Sequence, residues 1–278
     1  MKPQVASLSF SKKNFVYDGS EQSPELDGVP EGLEGDVAFA YTGTGSTVYS
    51  SNHAPTDVGA YRVVATLKGN GYVGRAATEY QILMKPVRFS VDAADAIYDG
   101  KSHGATVTVD GLEPSDYEVT YQGVDGTEYG PTAQSPRDSG SYTASVEVTN
   151  PNYRGGRSVS YKISPASQSI EGTTSYFATY GDAGFAFDNT AKTPITYEIV
   201  PNDDGSPSPI SIQGSYVSVN AAGTARVTAH AAASRNYLAA DDVELTVNVS
   251  PAQLLVIVGD AERVEGEANP QFTSELIS

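Results

Sequence analysis

Asp57-Val58-Gly59-Ala60-Tyr61 and Asp138-Ser139-Gly140-Ser141-Tyr142 are one five-residue element met twice, 81 residues apart. Other landmarks keep that spacing. Tyr17-Asp18-Gly19 returns as Tyr98-Asp99-Gly100, Tyr72 as Tyr153, and Tyr80-Gln81-Ile82 as Tyr161-Lys162-Ile163. Several landmarks held in one register establish an internal repeat, and a repeat decides the fold before any local reading does.

A looser third copy follows. Tyr180-Gly181-Asp182 stands in for Tyr-Asp-Gly, Ala222-Gly223-Thr224-Ala225-Arg226-Val227 for the corner and its strand, and Asn236-Tyr237 for Asn152-Tyr153. Residues 254–258 then read as the first strand of a fourth copy, with Glu265-Gly266-Glu267 at the Tyr-Gly-Asp position. Proline near each closing strand, at Pro86, Pro165 and Pro251, marks the boundaries, because it has no backbone donor and restricts its neighbour. The expected domains are residues 1–85, 86–164, a divergent 165–250, and 251–278 as the truncated start of a fourth module. Short proline-bearing links hold neighbours semi-rigidly, so the expectation is an extended array.

Inside a module, apolar and polar residues alternate with period two. Tyr142, Ala144, Val146 and Val148 fall on one face, and 105–109, 117–121 and 158–163 alternate likewise. About seven short strands per repeat predict an all-β fold of tandem Ig-like β-sandwich modules, with β-grasp-like modules as the alternative. In the corner element, Gly59 and Gly140 are expected to allow a tight turn. Asp57 and Asp138 would bond nearby backbone, and the hydroxyls of Tyr61 and Tyr142 would bond back across the corner.

Charge and composition exclude several functions. With 34 acidic and 17 basic residues the net charge is -17, which opposes binding to nucleic acid or anionic membranes. There is no Cys, so neither disulfides nor thiolate metal sites arise. The longest apolar run, 254–258, is too short to span a bilayer. Met1-Lys2-Pro3-Gln4 lacks the apolar segment of a leader, so an exported protein would contain this chain as a piece of something longer.

The residues that could carry chemistry are scattered. His53, His103 and His230 occupy different module positions and are not expected to converge. No Gly-x-Ser-x-Gly elbow is present. Asp57 and Asp138 recur in place, as turn residues do and a single catalytic pair does not. Gly43-Thr44-Gly45-Ser46 reads as a hairpin loop, and Asn202-Asp203-Asp204-Gly205 as a plain turn without the spaced oxygens of a calcium loop. Lys12 or Lys13 could in principle join an Asn or Asp in an internal isopeptide bond; an exposed lysine is the simpler reading. No catalytic residue, metal or cofactor is assigned.

The order of these motifs resembles a known group. The first two modules, through Tyr17-Asp18-Gly19, Tyr98-Asp99-Gly100 and the later Asp-x-Gly-x-Tyr, are similar to the MBG/YDG-type repeats of large bacterial surface proteins. The third, through Tyr180-Gly181-Asp182, is similar to the related Tyr-Gly-Asp type, and its Gly223-Thr224-Ala225 strand resembles bacterial Ig-like (group 2) domains. The resemblance implies an exported, surface-displayed protein with these modules as stalk or weak multivalent adhesion repeats; the chain itself is expected to be a monomer. Any ligand would be a host or matrix protein or a glycan, met through the loop at 201–209.

Overall fold

The computed structural model describes residues 2–11, 13–271 and 274–277. Among these the only helical pieces are single 3-10 turns at Glu34–Asp36 and Pro114–Asp116; all other regular structure is strand. The chain is therefore all-β. A grasp fold needs a helix for its sheet to hold, so that alternative is set aside. Contacts divide the chain into two compact units, Met1–Ala96 with Ser102–Lys162, and Ile97–Lys101 with Ile163–Ser278.

In the first unit, the strand Gly59–Gly69 lies between Val37–Gly43 and Tyr72–Leu83, antiparallel to both. Its alternation is the sequence pattern made physical: Tyr61, Val63, Ala65 and Leu67 are buried while Arg62, Thr66 and Lys68 face out. The hairpin to Tyr72–Leu83 turns on Asn70 and Gly71, both at positive φ, as a tight two-residue turn demands. Asn14–Val16 adds in parallel to the end of Tyr72–Leu83. The pair Ser9–Phe10 and Leu26–Asp27 forms a small separate sheet. Tyr41, Tyr61, Val63, Tyr80 and Ile82 make the core, with Phe10, Phe15 and Phe39 packed around them. Each large side chain so buried contributes about 1.5–3 kcal/mol.

The second copy repeats this plan. Gly140–Val148 pairs antiparallel with Tyr117–Val124, and Phe89–Asp92 pairs with Thr106–Val109. Tyr142, Ala144, Val146, Tyr161 and Ile163 are buried where Tyr61, Val63, Ala65, Tyr80 and Ile82 were.

The second unit is a two-layer sandwich. One sheet runs Ser175–Thr179, Val243–Ser250, Gly223–Ala231, Ile195–Val200, and the other Phe185–Ala186, Tyr216–Val219, Ile210–Gln213. Val217, Val227, Leu245 and Val247 fill the space between them. Ala225 replaces the corner tyrosine. Gly223 faces Val249 as Gly59 faces Ile82, so Ala225 takes the place of Tyr61 and Val247 that of Tyr80. The missing ring volume comes from a different cluster, Tyr176, Phe185, Phe187 and Tyr197, whose Phe187–Tyr197 centroids are 4.6 Å apart.

Beyond Pro251, Leu255–Val258 pairs antiparallel with Ser274–Ile277. Between them Gly266 has φ 95° and the Glu267 amide donates to the Val264 carbonyl at 3.2 Å. The Tyr180 turn has the same form: Gly181 also has φ 95°, and the Asp182 amide donates to Thr179 at 3.0 Å.

Candidate functional site

The repeated motifs are the sites that recur from copy to copy, and each does something definite. The corner hydroxyls bond back as expected: Tyr61 donates to the Asp57 carbonyl at 2.8 Å and Tyr142 to the Asp138 carbonyl at 2.6 Å. The glycine has a different role from the expected tight turn. Neither Gly59 nor Gly140 has a positive φ. A Cβ at Gly59 would come within 2.8 Å of both the Tyr61 hydroxyl and Thr47, and one at Gly140 within 2.6 Å of Thr127 and 3.0 Å of the Tyr142 hydroxyl. The glycine leaves room for the ring that folds back over it. The next amide is held by the same threonine, Ala60 donating to Thr47 Oγ1 and Ser141 to Thr127 Oγ1, each at 3.0 Å.

Around each corner the tyrosines stack edge-on. Tyr49 meets Tyr61 at 5.6 Å and Tyr129 meets Tyr142 at 5.6 Å, both near perpendicular, a geometry the ring quadrupole favours. Tyr80 donates to the Gln22 carbonyl and Tyr161 to the His103 carbonyl. Burial pushes both of these phenols well above the usual tyrosine range. His103 therefore holds a structural place taken by Gln22 one repeat earlier. Its amide bonds Pro136 as that of Gln22 bonds Pro55.

In Tyr-Asp-Gly, the aspartate closes its own turn. Asp18 Oδ1 accepts from the Ser20 amide at 2.9 Å and hydroxyl at 2.6 Å, and Asp99 Oδ1 accepts from the Lys101 amide at 2.8 Å. The Ser20 bonds hold the Asp18 carboxyl below the usual range. Gly19 and Gly100 supply the positive φ. In the third copy Asp182 Oδ2 accepts from the Thr179 amide at 2.7 Å.

The sequence missed a joint. Within the first unit, Asn152 of the second repeat reaches the corner of the first. Its Oδ1 accepts from the Val58 amide at 2.9 Å and its Nδ2 donates to Asp57 Oδ1 at 3.0 Å. The Asp57 carbonyl thus closes its own corner, while its carboxylate serves the neighbouring repeat. Beside it, Tyr17 packs edge-on against Tyr153, with centroids 5.3 Å apart at 74°. Lys85–Pro86 pairs in parallel with Tyr153–Arg154, so the link between the repeats is itself a strand. Tyr98 belongs by its contacts to the second unit, where it meets Tyr237 in the same way, at 5.5 Å and 80°. In that unit Ala166 bridges Tyr237 in parallel.

The remaining candidates stay apart. His53 lies 3.7 Å from Glu21, and His230 Nδ1 lies 2.6 Å from Asp242 Oδ1, both pairs well exposed. Among the described residues no three His, Cys, Asp or Glu come together to hold a metal. Gly43 ends a strand and the loop after it turns on Gly45. Asp204 closes the 202–205 turn by accepting from the Ser206 amide at 2.9 Å. That loop, with Pro209, Gly223 and Thr224, lines an open, mainly polar depression. Lys13 is exposed, and Lys12 lies outside the described residues. No helix among the described residues is long and apolar enough to cross a membrane.

No curated protein matches the chain. Among solved structures it is similar to the titin I-band fragment I67-I69, at 13% identity over 91% of this chain and 100% of that one, with a TM-score of 0.32. It is also similar to Drosophila N-cadherin EC1-3, at 12% identity over 87% and 99% with a TM-score of 0.26. The three N-terminal domains of the bacteriophage RB49 Hoc protein match at 14% over 90% and 99%, with a TM-score of 0.27. At these scores the likenesses carry nothing about function. The MBG domain model matches residues 6–85 and again 89–167, the two copies in which the corner, the Tyr-Asp-Gly turn and the inter-repeat joint have been described. The chain belongs to the MBG domain family, with two tandem copies.

Proposed function

We propose that this chain is a structural, adhesion-type repeat segment of a bacterial cell-surface protein, displayed outside the cell as a monomeric spacer. The observation that carries this reading is the joint at Asn152. Side chains of the repeated motifs are used to set one module against the next, which suits a protein whose task is to hold distance. The family membership and the parallel linker strand at Lys85–Pro86 support it. The acidic surface keeps copies apart in solution. No catalysis, metal or cofactor belongs to the proposal. Small-angle scattering tests it: the spacer reading requires an elongated particle, and a compact globule contradicts it.

A second reading has one observation of its own. The depression beside the 201–209 loop is open and polar, as a shallow site for a glycan or a host matrix protein would be. Weak sites become useful when linked copies raise the effective concentration. A glycan and matrix-protein array at high protein concentration tests it, and an empty array removes it.

A further inference from the structure

We propose that the surface around Tyr180 is a socket for the Asn-Tyr turn of another module of this kind. The joint within the first unit is the template for such a socket. That joint has three parts on the receiving side: the Tyr17 ring, the Val58 amide, and the strand edge at Lys85. Tyr17 takes the Tyr153 ring, Val58 donates to the Asn152 side chain, and the Lys85 amide donates to the Asn152 carbonyl at 3.0 Å.

The receiving side is placed by local register. The Tyr17 amide donates to Leu83, the Tyr98 amide to Ser164, and the Tyr180 amide to Ser250, at 2.8–2.9 Å. Two residues beyond those carbonyls stand Lys85, Ala166 and Ala252. Lys85 and Ala166 each pair with an Asn-Tyr turn, and the Ala166 amide donates to the Asn236 carbonyl at 2.9 Å. Val58 precedes Gly59 and Ala222 precedes Gly223, and these two glycines hold the same register against their partner strands.

All three parts are thus present again at Tyr180, Ala222 and Ala252, and all three line one open, mainly apolar depression with Pro251 and Leu254. Tyr180 is 51% exposed, and among the described residues no ring packs on it. The amides of Ala222 and Ala252 have no acceptor among the described residues. The socket lacks one partner of the first joint: Ala221 stands where Asp57 does, so the carboxylate that accepts from Asn152 Nδ2 is missing. The occupant is a turn with Asn followed by Tyr, its ring laid edge-on against Tyr180, its side-chain oxygen on the Ala222 amide, and its carbonyl on the Ala252 amide.

This inference rests on the repeat-array reading, but its failure would leave the Tyr17–Tyr153 joint and the scattering result untouched. The test is an NMR titration of the isotope-labelled full chain with a synthetic peptide of residues 149–156, which carries Asn152 and Tyr153. The expected result is saturable shifts of the Ala222 and Ala252 amides. A peptide carrying Tyr153→Ala should bind about tenfold more weakly, the order of magnitude of losing one aromatic pair. Tyr180→Ala in the full chain should produce the same loss. Absence of shifts, or equal shifts with both peptides, would overturn the proposal. So would shifts that follow protein concentration without peptide and vanish in the Tyr180→Ala chain, since the occupant would then be a second copy docked through another surface.

Discussion

Asn152 and Asp57, 95 residues apart in the chain, share a 3.0 Å hydrogen bond that ties the second repeat to the corner of the first. The other end of the same amide accepts from Val58 at 2.9 Å. One side chain therefore reads both the carboxylate and the backbone of its neighbour. Replacing Asn152 by Ala leaves the Val58 amide without that acceptor. Its hydrogen exchange should rise about tenfold, the equivalent of about 1.4 kcal/mol, while exchange in the Gly59–Gly69 strand stays unchanged. Unaltered exchange at Val58 would show that the bond does not form in solution.

The corner gives a graded prediction. Tyr142→Phe removes only the hydroxyl bond to Asp138 and should cost about 0.5–1.5 kcal/mol in urea unfolding. Tyr142→Ala empties a fully buried site and should cost about 3–5 kcal/mol. Gly59→Ala should cost about 1–3 kcal/mol, because its Cβ would overlap Thr47 and the Tyr61 ring. If Gly59→Ala were neutral, the close-approach role given to that glycine would be wrong.

Alkaline pH should unfold the tyrosine cores. Burial raises the folded-state values of Tyr80 and Tyr161 above the unfolded value of about 10. For a group raised on folding, the stabilisation is complete below the unfolded value and is lost as pH climbs toward the folded one. Melting temperature should therefore hold steady up to about pH 10 and fall above it. The double variant Tyr80→Phe with Tyr161→Phe should flatten that fall. An equally steep decline in the variant would place the alkaline sensitivity elsewhere.

The strands, the repeat and the corner were legible in the sequence because their signals are local or periodic. Tyr142, Ala144 and Val146 alternate within five residues, and Tyr61 reaches only back to Asp57. The joint was not legible for the opposite reason: its partners lie about a repeat apart, and nothing near Asp57 points to Asn152. One clue existed. The first copy has Gly71 where the second has Asn152, which suits a residue that serves a preceding module and not its own. The corner glycines are expected from sequence to serve a tight turn, whereas the structure constrains them through the folded-back tyrosine ring, a contact that a five-residue motif does not display. The third copy lost its corner tyrosine to Ala225, so only its strand pattern carried over.

Motif tyrosines couple one module to the next. A double-mutant cycle on Tyr17→Ala and Tyr153→Ala, read by urea unfolding of the full chain, measures that coupling. The two rings touch at 5.3 Å, so the cycle should show a coupling of about 0.5–1.5 kcal/mol. Strictly additive losses would mean that the rings meet without holding the modules together, and that the tyrosine pair is not a joint.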